Sequence, residues 1–152
     1  MGIYITTSKK SSPKTQILCK ALSYLLPNSI NERRGKKSIE QIFIRAKLLG
    51  KSRVMFIYEK DGIPSRICLM KVKAHSWEWV GEELLISEFH LHRMPSELPG
   101  ELTVSGGRGE EFGRLLDVEK PEDEDSIEMK CGRKKLSFSY SGKPLLELEL
   151  TQ

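Results

Sequence analysis

The chain has 152 residues, 38% of them hydrophobic and 30% charged, the size of one ordinary domain or of two very small ones folded together, and enough for a real core. No apolar run approaches the roughly 18 residues of a membrane span, and Lys9 and Lys10 follow the first apolar stretch where a secretion signal would put its charges before it, so a soluble cytoplasmic protein is expected. The net charge of +4 conceals two halves of opposite sign: residues 1–73 carry 16 Lys and Arg against 4 Asp and Glu (+12), and residues 74–152 carry 9 against 17 (−8).

In chain order, Gly2 to Thr7 reads as a short buried strand, with Ile3, Tyr4 and Ile5 as its apolar run. The polar loop Thr6-Thr7-Ser8-Lys9-Lys10-Ser11-Ser12 then runs into Pro13, which suits the first helical position, with Ser12 placed to cap it. Ile17, Leu18, Ala21, Leu22, Leu25 and Leu26 recur on one helical face and Pro27-Asn28 ends the pattern, which predicts a helix over about 13–26. A basic connection, Asn31-Glu32-Arg33-Arg34-Gly35-Lys36-Lys37, leads to Ser38 and Gln41 at capping-box spacing, and a second helix runs to Gly50. Val54 to Tyr58 and Arg66 to Val72 flank the turn signal Asp61-Gly62 and predict a hairpin.

Beyond Lys73 the pattern shifts to shorter β-rich stretches: Leu84 to Leu91, Leu102 to Val104, Ile127 to Cys131, Leu136 to Tyr140 and Leu145 to Leu150. Glu110 to Val118 is a candidate short helix with Phe112, Leu115 and Leu116 on one face, weakened by Gly113. Ala74 to Gly81 is the candidate junction between a basic α/β half, 1–73, and an acidic, more β-rich half, 74–152.

The basic half would attract a polyanion by counterion release, so nucleic acid is the partner that charge suggests. Two halves that simply attract each other are the alternative. The hydroxyl- and lysine-rich loop before the first helix has chemistry suited to phosphate, because the free N–H groups and dipole of a helix start favour an anion, and Thr7, Ser8, Lys9, Lys10, Ser11 and Lys14 surround that point. A solvated, well-capped loop would look the same. Arg33, Arg34, Lys36 and Lys37 precede the other helix, so both clusters face one ligand if the helices start at one side of the sheet, with Gly35 admitting a close backbone approach.

Gly106-Gly107-Arg108-Gly109 reads as a turn, because Phe112 stands where a phosphate loop needs glycine and Glu110-Glu111 would repel phosphate. His90 and His92 show no metal-ligand spacing and read as ordinary sheet residues. Trp77 and Trp79 could stack on bases or anchor a partner, though aromatics at this spacing are more often half-buried sheet residues. The acidic run 121–125 is most simply a solvated loop. Cys19, Cys68 and Cys131 are an odd, widely spaced set among apolar neighbours, which predicts buried reduced thiols, with neither a disulfide framework nor a zinc site. No nucleophile, base and orienting group can be assembled, so no enzyme, cofactor or small-molecule substrate is expected.

The run Ile5-Thr6-Thr7-Ser8-Lys9-Lys10-Ser11-Ser12-Pro13-Lys14-Thr15, followed by Leu18-Cys19-Lys20-Ala21-Leu22, Leu26-Pro27-Asn28-Ser29, Asn31 and Arg34-Gly35-Lys36, resembles the opening of a Brix domain, and the length resembles its archaeal single-domain members. The likeness continues through Ala46, Gly50, Gly62 and Pro64 and covers about the first seventy residues. Lys9 and Lys14 stand where the family usually has arginine, Ser11 where it has proline, and Gln16 where a basic residue is common.

The resemblance implies an α/β fold, a single Brix domain over 1–152 made of two halves, each similar to the anticodon-binding domain of class II aminoacyl-tRNA synthetases. It also implies a non-catalytic ribosome-biogenesis factor that binds ribosomal RNA or its precursor, cytoplasmic here and nucleolar in eukaryotic relatives, with ribosomal or assembly proteins as further partners. The family's loop falls on Thr7, Ser8, Lys9, Lys10, Ser12 and Thr15, and its second motif on Asn31, Arg34, Gly35 and Lys36; charge adds Lys14, Arg33 and Lys37. Few stacking aromatics lie near these loops in sequence, so duplex or junction RNA is expected over an extended single strand. A protein-interaction adaptor with only indirect RNA contact is the alternative.

Overall fold

The computed structural model describes residues 2–151 and, within them, nine strands and three helices. The first half runs β1 (Ile3–Thr7), α1 (Pro13–Leu25), β2 (Ile30–Asn31), α2 (Ile39–Leu48), β3 (Arg53–Lys60) and β4 (Ile63–Val72). The long strand β5 (Trp77–Leu91) follows, then β6 (Leu102–Ser105), α3 (Gly109–Leu115), β7 (Ile127–Cys131), β8 (Lys135–Tyr140) and β9 (Lys143–Leu150).

Local chemistry sets most of these boundaries. Ser12 caps α1 and Pro13 opens it, while Ser38 and Gln41 close a reciprocal capping box on α2. The β3–β4 turn uses Asp61 and Gly62, both at positive φ (54° and 77°), as a two-residue hairpin of this twist requires. Beneath α1, Leu18, Cys19, Leu22 and Leu25 are buried, each leucine contributing about 1.5–3 kcal/mol of transfer free energy.

All strands join one sheet in the order β2-β1-β3-β4-β5-β9-β8-β7-β6. That order reads the same from both ends once β2 is set aside. In the first half β1 lies parallel to β3, which leads through β4 to β5; in the second, β6 lies parallel to β7, which leads through β8 to β9. The halves meet where β5 pairs antiparallel with β9. The second half therefore repeats the first without counterparts of β2 and α2, a repetition that its β-rich sequence does not announce.

Both α1 and α3 sit on the face carrying Ile5, Ile57, Met129, Phe138 and Leu148, which form one continuous core across the halves, with a cavity of about 480 Å³ lined by Leu22, Leu26, Phe112, Leu116 and Leu148. The opposite face is apolar only in the first half, where α2 covers Tyr4, Val54, Phe56 and Met70. Its continuation across β7 to β9 presents Glu128, Lys130, Ser137, Glu147 and Glu149.

The structure departs from expectation in three places. β2 lies in what reads as a loop, since two residues are too few to show alternation. The supposed junction 74–81 is only a bend at 74–76 and then strand: β5 pairs with β4 up to Leu85 and with β9 from Ile86, so the halves divide inside one strand. Helix α3 ends at Leu115 rather than Val118, Asp117 having left the helix at φ 54°. Cys19 and Cys131 are buried, Cys68 is half-buried and all three are free, with burial raising the Cys19 thiol to about 12 and the Cys131 thiol to about 11.

Candidate nucleic-acid interface

Parallel strands β1 and β2 deliver their C-terminal ends to the same end of the sheet, and from there the chain enters α1 and α2 on opposite faces. The two loops touch at their roots. Glu32 N donates to the Ile5 carbonyl (3.1 Å), and Thr6 Oγ1 donates to the Glu32 carbonyl (2.9 Å). Arg34 completes the join: Nη1 donates to the Thr7 carbonyl (3.3 Å), Nε to the Lys37 carbonyl (3.0 Å), and the guanidinium lies 5.6 Å from the Phe56 ring centre.

Arg34 is only 7% exposed. It is expected on the RNA-binding surface with its neighbours; the structure places it between the two loops, where Nε and Nη1 bond to the protein's own backbone and hold the loops in register. Thr7 and Thr15 are likewise buried, Thr7 Oγ1 donating to the Ser8 carbonyl (2.8 Å).

The start of α1 also differs from expectation. Its free donors do not await a phosphate, because Glu59 from the end of β3 has put a carboxylate there. Ser12 N donates to Glu59 Oε2 (3.0 Å), Thr15 Oγ1 donates to the same oxygen, and Ser12 Oγ lies 2.9 Å from it and 2.7 Å from the Gly62 carbonyl oxygen. These donors, Ser12 N foremost, hold the Glu59 carboxyl below its ordinary pKa. The second loop's own acid is also engaged: Glu32 takes a two-pronged bond from Arg45 (3.0 and 2.8 Å) and one from Tyr4 Oη (2.8 Å), and the Arg45 bond leads in lowering its pKa to about 2.

What remains turned outward is cationic. Lys9, Lys10, Lys14, Arg33 and Lys36 are exposed, and Lys37 is half-exposed with Nζ donating to the Arg33 carbonyl (3.3 Å). Lys14 Nζ stands 5.9 Å from the Phe89 ring centre, toward the C-terminal part of β5. Gly35 is exposed at φ 58° with nothing within 4 Å of where a Cβ would be, so backbone there is open to a ligand. Ser8 and Ser12 are half-buried, Ser8 Oγ donating to the Lys10 carbonyl (3.1 Å); Asn31 lies on β2 with its buried amide oxygen unpaired among the described residues.

An aromatic row beside the second loop is missing from the sequence reading. Phe56 stacks on Tyr58 (6.0 Å), and Trp79 meets Phe56 edge-on at 5.6 Å, the same distance as Arg34 on that ring. Trp79 is 45% exposed, and Arg66 lies over Tyr58 at 4.7 Å. The continuous apolar run of β3 and the two tryptophans are visible in the sequence, but only strand pairing could place them side by side. Trp77 is committed elsewhere, donating Nε1–H to Glu40 of α2 (2.8 Å).

Pairing of β5 with β9 brings acidic side chains to the histidines. It sets Glu149 and Glu88 beside His90 (4.0 and 3.0 Å), with the ligand atoms of all three within 4.8 Å of one another, next to His92–Glu147–Lys135. Glu88 and Glu149 share a hydrogen bond that lowers the pKa of the first and raises that of the second. Among the described residues no helix is long and apolar enough to cross a membrane.

No family model matches the chain. It is 38% identical over 74 residues, 49% of its length, to a probable Brix domain-containing ribosomal biogenesis protein of Saccharolobus solfataricus, and 31% identical over 77 residues to one so named from Pyrococcus horikoshii. The matches span 44% and 34% of those proteins, less than half the length of either relative. In three dimensions the likeness extends end to end. A probable ribosomal biogenesis protein of Aeropyrum pernix superposes with a TM-score of 0.81 at 23% identity, covering 99% of this chain and 95% of that one; Mil, an archaeal Imp4-like protein, gives 0.73 at 19%, covering 98% and 97%.

Proposed function

We propose, from the premise that this chain is a relative of archaeal Brix domain-containing ribosomal biogenesis proteins in sequence and shares the fold of two such archaeal structures, that it binds ribosomal RNA or its precursor during subunit assembly and performs no chemistry on it. One observation carries the reading. Arg34 locks two loops together so that Lys9, Lys10, Lys14, Arg33, Lys36 and Lys37 lie at one end of the sheet, while the carboxylates of Glu32 and Glu59 at the loop roots are half-buried and already hydrogen-bonded within the protein. A phosphate backbone meets cations there whose local counter-charges are already occupied.

Junction RNA suits the surface best: duplex phosphates on the lysines, and an unpaired base on the exposed indole of Trp79. The reading takes the chain as one Brix domain acting in the cytoplasm, made of two halves whose similarity to each other the repeated strand order supports, each taken as a counterpart of a class II synthetase anticodon-binding domain.

The test is a salt series of affinities for pre-ribosomal RNA fragments. Replacing Lys9, Lys10, Arg33 and Lys36 with Ala should weaken binding and flatten the dependence of log K on log salt by up to about 3, the share of four phosphate contacts. Trp79→Ala should cost about 1–3 kcal/mol of stacking and leave the slope unchanged. Equal slopes for the parent and the fourfold variant would move the RNA off this surface.

A further inference from the structure

The second half lacks counterparts of β2 and α2, and what it has in their place is specific. Among the described residues β6 ends the sheet with β7 as its sole strand neighbour. The Glu101 carbonyl accepts from Ile127 N (3.0 Å) on the β7 side, so alternation turns the backbone N–H and C=O groups of Leu102 and Val104 to the outer edge. In the first half the equivalent edge of β1 is filled: β2 lies parallel to it, with Tyr4 opposite Ile30 and Ile5 opposite Asn31. Beside β6 there is instead a groove of about 690 Å³, running between α3 and the segment 117–121, with Leu102, Thr103 and Val104 along one wall.

The groove's floor and rim define what fits. Gly109 and Gly113 of α3 line it without side chains, and nothing stands within 4 Å of where a Cβ of Gly113 would be, leaving width for a backbone and short side chains. Glu110, Asp117 and Glu119 line it against two cations, Arg114 and Lys120, and Glu122 stands beside the start of β6 through its bond to Glu101, so the groove is acidic on balance. The 121–126 segment is tied alongside β6, Glu122 N donating to Glu101 Oε2 (2.8 Å) and Thr103 Oγ1 lying 2.7 Å from Ser126 Oγ.

We propose that the outer edge of β6 is a docking site for an extended, lysine- or arginine-rich segment of a partner protein, which adds a strand parallel to β6 where β2 lies against β1. Backbone pairing supplies the ladder and the acidic rim selects basic side chains. The occupant is a strand without a helix, because the face that α2 covers in the first half is polar in the second (Glu128, Lys130, Ser137 and Glu147) and offers no apolar seat. A second copy of this chain would bring two acidic rims together, and an RNA strand would meet the same repulsion.

The probe is a short labelled peptide alternating Lys with Val, titrated into the full chain, with the amide resonances of residues 102–104 and α3 followed by NMR. Binding that weakens with salt and shifts those resonances is expected. The same peptide with Glu for Lys, or with N-methylated backbone amides, should bind about tenfold more weakly or worse. Gly113→Leu fills the groove while raising helix propensity, so it should fold as the parent does and lose binding by at least about tenfold; Glu119→Gln with Glu122→Gln should weaken binding and flatten its salt dependence. No binding of the peptide, undiminished binding by Gly113→Leu or by the N-methylated peptide, shifts elsewhere on the sheet, self-association through β6, or RNA fragments perturbing the same amides would each overturn the proposal.

Discussion

The loops that follow β1 and β6 occupy matching places in the two halves, each carrying the chain from the end of a parallel strand to a helix on the common core face. Their chemistry is opposite. The first loop is held by side chains, Ser12 and Thr15 on Glu59 and Arg34 on Thr7, leaving Lys9, Lys10 and Lys14 outward. The second hugs the sheet: Arg108 N donates to the Cys131 carbonyl (3.2 Å), no side chain caps α3, and Arg108 folds back onto Glu111 (3.1 Å) and the Phe112 ring (4.9 Å). Backbone topology fixes where a helix starts, but the ligand class is set by which residues fill the few positions left exposed there.

The largest effect that would break this comparison is at Gly106. It sits at φ 92°, and a Cβ would stand 2.5 Å from the Cys131 carbonyl oxygen, which is backbone and cannot give way cheaply. Gly106→Ala should destabilise by at least about 3 kcal/mol in denaturant unfolding, whereas Gly35→Ala, at φ 58° in open space, should cost about 1 kcal/mol. Similar losses at both sites would mean that the second loop is not clamped to β7.

Next is Arg34→Ala. It removes charged donors from two backbone carbonyls, one of them on a buried residue, and a cation from the Phe56 face, for an expected loss of about 2–3 kcal/mol. Because Arg34 is buried between the loops, RNA affinity should fall through loop disorder with its salt slope nearly unchanged, and Arg34→Lys should recover only part of the stability. A slope flattened as much as that of a surface lysine variant would put Arg34 back on the RNA. Ser12→Ala should cost about 1 kcal/mol as a lost cap, read from urea midpoints; no matching cap exists at α3 to lose.

Much of this contrast was legible in the sequence, and the remainder was not for identifiable reasons. Ser12-Pro13, Ser38 with Gln41 and Asp61-Gly62 are local signals, and the elements they mark are where they predict. Lys9, Lys10, Lys14, Arg33 and Lys36 are exposed as charge alone demands. Arg34 is not, and nothing distinguishes it from Arg33 until strand pairing brings Thr7 and Phe56 to it. Glu59 lies 47 residues from Ser12, and no periodicity links a strand-end carboxylate to a helix cap so far away. The repeated topology was hidden because the second half dropped β2 and α2 and placed charges along β5.

Acidification separates the halves by a smaller amount. Glu32 is held ionised in the folded state, with its pKa lowered from 4.5 to about 2, chiefly by the Arg45 bond. Its contribution to stability is therefore complete above the ordinary carboxylate value and is lost as pH falls from there toward 2. Glu32→Gln should make the melting temperature less dependent on pH across that window. An unchanged pH profile would show that the Glu32–Arg45 bridge is open in solution.

The smallest effect tests why the start of α1 is not itself a phosphate site. Glu59 now supplies the negative charge that the helix N-terminus and the hydroxyls of Ser12 and Thr15 would otherwise offer to a ligand. Glu59→Gln keeps an acceptor for Ser12 N while removing the charge, so α1 should remain capped and the field at its N-terminus should become more positive. RNA affinity should rise by a few-fold, in keeping with the roughly 0.3–1 kcal/mol that a charge at a helix end contributes, and the salt slope should steepen by up to about 1. Unchanged affinity would place the RNA phosphates beyond reach of the α1 terminus, on Lys9, Lys10 and the second loop alone. A fall would mean that the charge on Glu59 is what shapes the loop, tying the lysines' positions to an anion the protein already carries.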